Sequence, residues 1–151
     1  MADAEASHFI GGPQPRPVAW RGLAQVTGAW VLQGFSMFSV IERSSGRWIG
    51  RIGPWRPADW PGPEVGWALI RDAWGQGYAA EGASAAIDWV FDQLGWTEVI
   101  HCIAPDNAAS QTLARRLGSF NRGPARMPEP YQDTVVDLWG QTRDDWRGRK
   151  A

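Results

Sequence analysis

Cysteine occurs once in the 151 residues, at Cys102, so no internal disulfide can form and a reducing compartment is expected. Basic charge is not in surplus. Fifteen Lys and Arg stand against 16 Asp and Glu, a formal net charge of -1. That argues against DNA or RNA as the main partner, because phosphate binding needs a basic face. The basic residues Arg143, Arg147, Arg149 and Lys150 are interrupted by Asp144 and Asp145 and read as a solvated end. No apolar run approaches the roughly 20 residues of a membrane span. The stretch Met1 to Glu5 is acidic and small, without the basic-then-apolar order of a secretory signal. Internal repeats and low-complexity linkers are missing too. These absences lead to an expectation of a cytoplasmic protein with no membrane, nucleic-acid or metal partner.

What is present suits a packed core. Hydrophobic residues make up 44% and charged residues 21%, a balance that disfavours disorder. One domain, 1–151, is expected, with 1–15 and 143–151 as loosely ordered ends. Eleven tryptophans should serve as core or as groove wall, since each indole buries a large area and its N–H seeks a partner.

Leu23, Val26, Trp30 and Val31 recur at helical spacing and predict a helix over Val18 to Gln33, closed by Gly34. Phe35 to Glu42 and Trp48 to Trp55, around Ser44-Ser45-Gly46, read as a hairpin. Glu64 to Ile70 is a short strand, and Trp74 to Tyr78 a glycine-containing turn. Ala79 to Leu94 is the strongest helix, with Ala83, Ile87, Val90, Phe91 and Leu94 on one stripe. Thr97 to Ile103 is a β-branched strand. Asp106 or Asn107 caps a further helix to Leu117; Ser119 to Arg122 and Thr134 to Trp139 are the last strands. The order predicts an α/β fold: a mixed, mostly antiparallel sheet with a central βαβ crossover over Glu64 to Ile103 and helices on both faces.

The most informative stretch runs from Glu64 to Gly82, where a strand passes through Trp74-Gly75-Gln76-Gly77-Tyr78-Ala79 into the long helix. A helix start has unpaired N–H groups and partial positive charge, and glycines let a ligand approach them. Two readings stand: a pyrophosphate seat, or a turn that packs helix close to strand. Gly75 to Ala80 also fits G-x-G-x-x-A, a dinucleotide fingerprint. Against that, a hairpin lies upstream where further strand–helix repeats belong, and no acidic residue ends the next strand at His101 to Ile103.

Glu64 to Phe120 resembles the GCN5-related N-acetyltransferases, in particular the branch with the ribosomal-protein N-terminal acetyltransferases. The family's Q/R-x-x-G-x-G/A turn aligns with Trp74 to Ala79, and the branch's W-G-x-G-Y-A-x-E form stands as Trp74, Gly75, Gly77, Tyr78, Ala79 and Glu81. The P-D-N-x-x-S mark appears as Pro105, Asp106, Asn107 and Ser110, and L-G-x-F as Leu117, Gly118 and Phe120. The resemblance implies acetyl-CoA as co-substrate and an amine, on a protein N-terminus or a small molecule, as acceptor. It implies that the strand before the turn splays from its parallel neighbour. Backbone groups of Trp67, Ala68, Leu69 and Ile70 would pair with pantetheine amides. The turn Trp74, Gly75, Gln76, Gly77, Tyr78 and Ala79 would hold the pyrophosphate. Asn107 and Ser110 would reach the cofactor, beside their ordinary capping role.

Glu64 is the candidate general base, with a solvated strand end as its alternative; His101 has a suitable pKa but can equally face a helix. Many relatives carry a thiolate-protonating tyrosine where Ala114 stands, which leaves Tyr131 as a substitute acid. The family's first strand and most of its first helix look absent. That leaves Phe35 to Ile41 as an apolar sheet edge and predicts a homodimer through it. A non-catalytic acyl-CoA-binding domain of the same fold is the second functional reading.

Overall fold

The computed structural model describes residues 3–149. Two short helical turns, α1 (Ala4–Ser7) and a 3-10 turn (His8–Ile10), precede α2 (Arg16–Gln33). Then come β1 (Phe38–Ile41), β2 (Trp48–Trp55), β3 (Glu64–Leu69), α3 (Tyr78–Gln93), β4 (Glu98–Ile103), α4 (Ala108–Leu117), β5 (Phe120–Ala125), β6 (Val136–Thr142) and α5 (Arg143–Gly148). The six strands form one sheet in the order β1-β2-β3-β4-β6-β5, and only β3 and β4 run parallel. The α/β class, the mixed and mostly antiparallel sheet and the βαβ crossover are as the sequence predicts.

The stripe on α3 goes where its spacing sends it: Ala83, Ile87, Val90 and Phe91 are buried against Ile52, Val65, Leu69 and Val99 of the sheet. Leu113 and Leu117 of α4 and Trp146 of α5 join the same core, so α3, α4 and α5 share one face. On the other face loop side chains meet the strands. Met37 lies over Gly66, and Trp60 reaches Glu64.

Three regions differ from expectation. The end 143–149 carries a helix. Thr142 and Asp145 form a reciprocal capping box, and the indole of Trp146 donates to Asp88 Oδ1 at 2.7 Å. At the other end, Asp3 caps α1, and Arg71 pairs with Glu5 at 2.7 Å, which ties the segment to the loop before α3. Helix α2 forms as predicted, but its apolar stripe is not core: Leu23 is 64% exposed and Val31 87%. Near its C-terminal end Trp30 packs on Phe38 with ring centroids 5.4 Å apart, and Ala19, Gly22, Val26 and Ala29 are partly buried. Periodicity reports that a helix will form; it does not report which surface is there to cover it.

Candidate active site

The site begins where one ladder fails. β3 and β4 share a single register pair, Glu64 with Ile100, and Ile100 N–H donates to Pro63 O at 3.0 Å. The next rung of a parallel ladder would join Cys102 N–H to Val65 C=O. Side chains take both groups instead. Cys102 N–H donates to Glu64 Oε1 at 3.1 Å, and Val65 C=O accepts from His101 Nδ1 at 2.7 Å. Beyond this point the strands diverge as a fork, with each freed group at its base satisfied.

The fork opens into a cavity of about 760 Å3. Its lining includes Trp67, Ala68, Leu69, Trp74, Gly75, Gly77, Ala79, Asn107 and Ser110, nine of the residues singled out from the sequence. Gly75 and Gly77 have φ of 71° and 87°, in the left-handed region, and nothing lies within 4 Å of where a Cβ would sit on either. Glycine is needed there for the backbone, and the space above it is open. Gly77 caps α3 with no side-chain hydrogen bond, so the N–H groups of Tyr78, Ala79 and Ala80 begin the helix without intrahelical partners. Open space over left-handed glycines, free N–H groups and a cavity of this size fit a pyrophosphate with an attached pantetheine arm.

Several residues do less than expected of them. Ile70 N–H donates to Ile49 O at 2.9 Å, and by antiparallel alternation Ala68 also turns its backbone to β2. Trp67 and Leu69 alone face the fork with their N–H groups, and the Leu69 carbonyl already accepts from Trp74 Nε1 at 3.0 Å. The expectation for Gln76 and Tyr78 concerns their backbone N–H groups; their side chains turn away, Gln76 to Asp72 O and Tyr78 to Glu42 Oε1. Asn107 Oδ1 caps α4 by accepting from Ser110 N–H at 3.0 Å, and Ser110 Oγ accepts from Trp67 Nε1 at 3.1 Å. Both residues therefore position the cavity wall as well as line it.

Glu64 is buried at the base of the fork, not a solvated strand end. Trp60 Nε1 donates to its Oε2 at 2.5 Å. Burial raises its pKa to about 7 against the pull of these donors, which puts a proton acceptor at the operating pH. Cys102 lies beside it, and burial pushes that thiol up. His101 is buried against the helix side of the sheet. Its Nε2 accepts from Ser119 Oγ at 3.0 Å, Ser119 Oγ accepts from Gln141 Nε2 at 3.1 Å, and burial lowers the imidazole to about 4. It is a neutral structural group. Tyr131, the expected substitute acid, does not line the cavity; it sits edge-on to Trp60, on the opposite face. Ala114 is fully buried beside Ile103 and Trp139.

Sequence reasoning missed part of the wall. Glu5, His8, Phe9 and Ile10 close one side of the cavity, and Arg116 contributes a cation. Nothing in the first ten residues signals a long-range contact. Arg116, in the last turn of α4, reads as a complement to the helix dipole.

Known proteins share this domain and fold. A family model for the acetyltransferase (GNAT) domain matches residues 1–119. Protein YkkB of Bacillus subtilis (strain 168) is 30% identical over 87 residues, 56% of this chain and 51% of that protein. N-acetyltransferase p20 of Bacillus licheniformis is 27% identical over 122 residues, 79% of this chain and 68% of that protein. The chain thus spans about half to two thirds of these relatives. An acetyltransferase structure from Agrobacterium tumefaciens str. C58 superposes with a TM-score of 0.79 at 28% identity, covering 93% of this chain and 85% of that one. A ribosomal-protein-S5-alanine acetyltransferase of Vibrio fischeri and the spermidine/spermine N-acetyltransferase SpeG of Vibrio cholerae both superpose with a TM-score of 0.67, at 22% and 16% identity. They cover 86% and 87% of this chain and 74% and 78% of their own. At those identities they share the fold, and the ribosomal-protein branch is one neighbour among several. With the matched domain reaching through the fork, the glycine turn and the capped α4, the chain belongs to the GNAT acetyltransferase family.

Proposed function

We propose that this chain transfers an acetyl group from acetyl-CoA to a primary amine by direct attack. The observation that carries the reading is the fork: free strand N–H groups and a glycine turn on one side, and the buried carboxyl of Glu64 at its base. Acetyl-CoA, when bound, supplies a thioester carbonyl open to an amine. Gly75, Gly77 and the first N–H groups of α3 hold its pyrophosphate, and Trp67 and Leu69 meet its pantetheine. Asn107 and Ser110 line that channel.

The amine approaches from the Glu64 side. A lysine amine is only about 0.04% neutral at pH 7, whereas an α-amine near pKa 7.8 is roughly 15% neutral. Glu64 accepts the proton as the N–C bond forms. A strand N–H from Trp67 or Leu69 donates to the carbonyl oxygen as charge develops there, worth ~3 kcal/mol. The C–S bond breaks with its electron pair on sulfur. A thiolate of pKa near 8.5 leaves without a dedicated acid, which suits a site with Ala114 buried and Tyr131 on the far face.

The buried Ala114 also supports a second reading, an acyl-CoA-binding domain without turnover. An amine screen that follows free CoA release separates the two: CoA release dependent on amine and on Glu64 supports transfer, and acetyl-CoA binding with no release from any amine supports the second. The apolar edge strand β1 further supports self-association as a homodimer, and no membrane or nucleic-acid partner is proposed.

A further inference from the structure

The sheet face away from α3 carries chemistry that acetyl transfer leaves unused. Arg51 of β2 pairs in register with Ala68, and Trp55 pairs with Glu64. Alternation therefore puts the side chains of Arg51, Trp55, Glu64 and Ala68 on one face, with the opposed pair Gly53 and Gly66 between them. The Arg51 side chain is half-buried in the middle of this face. Among the described residues it has no carboxylate within ion-pair distance; Arg143 is likewise half-buried without one, while Arg47, Arg71, Arg122 and Arg147 are paired.

A cation taken partly out of water without a counter-ion is costly. Burial holds the Arg51 guanidinium below its ordinary pKa, and the Tyr131 hydroxyl is the group that works against this. Tyr131 in turn packs edge-on to Trp60 at 6.1 Å, and Trp60 donates to Glu64. An electrostatic interaction from Arg51 to Tyr131, then the contacts Tyr131–Trp60 and Trp60–Glu64, thus link this cation to the group that would deprotonate the acceptor. The floor between them is Gly53, Gly66 and Ala68; Phe38 and the Met37 backbone cover Gly53, and the flexible Met37 thioether rests on Gly66.

We propose that Arg51 binds a carboxylate of the acceptor, so that the substrate is a small primary amine that also carries a carboxylate. This rests on the acetyl-transfer reading above and narrows its acceptor. Guanidinium and carboxylate match as a bidentate pair, which gives orientation as well as attraction. With the carboxylate at Arg51, the amine points along the strand toward Glu64.

The test uses acetyl-CoA-loaded protein and a matched acceptor panel: glycine, β-alanine, γ-aminobutyrate and glycylglycine, each beside its carboxamide. At least one free acid should exceed its amide about tenfold or more in kcat/KM, through KM. Arg51→Gln should erase that preference and Arg51→Lys keep part of it, both with native acetyl-CoA affinity because Arg51 does not line the cofactor cavity. Equal rates for acids and amides in the native protein, or a preference that survives Arg51→Gln, would overturn the proposal. If no amine of any kind is acetylated, the transfer reading fails by itself. The carboxylate site is then read from melting of the acetyl-CoA-loaded protein. A free acid that stabilises native protein but not Arg51→Gln supports it, and no such acid overturns it.

Discussion

The two faces of β3 are built in different ways. On the helix side the polar groups offered to a ligand are mostly backbone, within a wall of side chains: left-handed Gly75 and Gly77, the opening N–H groups of α3, and the fork-facing N–H groups of Trp67 and Leu69. On the other side the chemistry is in side chains drawn from distant parts of the chain: Arg51, Trp60, Glu64 and Tyr131. A backbone site tolerates many side chains but few changes of glycine. A side-chain site answers to single conservative substitutions. Mutations on the two faces should therefore fail in separable ways.

The largest expected effect lies on the side-chain face. Glu64→Gln should lower kcat by about 10²–10³-fold if it removes a general base, with acetyl-CoA affinity within about twofold, since the cofactor contacts are backbone. In the native protein kcat/KM should rise with pH through about 7, where the Glu64 carboxyl ionises. The variant should lose that limb. A native pH profile in Glu64→Gln would remove Glu64 from the chemistry.

The backbone face should break through Gly77. Asparagine tolerates the left-handed conformation better than other residues with a side chain, so Gly77→Asn fills the open space with little strain. Acetyl-CoA affinity should fall on the order of 10–100-fold, or 1.4–2.8 kcal/mol, by calorimetric titration. Gly77→Val should abolish binding while far-UV circular dichroism stays native. Native affinity in either folded variant would mean that the turn is only a packing device.

Two buried groups at the base of the fork titrate against each other. Glu64 has its folded pKa raised from 4.5 to about 7, so its contribution to stability is full below 4.5 and is lost as pH rises through 7. His101 has its folded pKa lowered from 6.5 to about 4, so its contribution is full above 6.5 and is lost as pH falls through 4. Each is on the order of 3 kcal/mol, and they offset one another across about pH 4.5–6.5. Melting curves should expose the balance. Acidification should destabilise Glu64→Gln relative to the native protein, and stabilise His101→Gln relative to it, each by ~5–10 °C. Parallel pH curves for all three proteins would refute the linkage.

The smallest effect concerns the sheet edge. β1 is an edge strand, and Ile41 on it is half exposed. Light scattering at tens of micromolar should give a dimer, and Ile41→Lys should weaken it by a charge on the edge. A native monomer at that concentration would end the proposal.

The backbone face was legible because its requirements leave marks at fixed spacing. A strand must end, two glycines must turn, and an apolar stripe must begin at Ala83 and run to Phe91. The side-chain face left little trace. Glu64 was found from its place at a strand start, but its burial depends on Trp60 and on a broken rung with Cys102, 38 residues away. Arg51 sits in a strand whose alternation is interrupted by Gly50, Gly53 and Pro54, so no pattern marks its facing. The ordered C-terminal end was missed despite a local sign, Thr142 three residues before Asp145 and ahead of a large indole.

We propose the fork and its glycine turn as an acyl-CoA seat. Its most direct measurement is thermal unfolding with acetyl-CoA, NAD and ATP in parallel. At a hundredfold its dissociation constant a ligand adds ~2.7 kcal/mol, and for a chain of this size acetyl-CoA should raise the melting temperature by roughly 5–10 °C, with NAD and ATP leaving it unmoved. Equal shifts with NAD, or none with acetyl-CoA, would contradict the account.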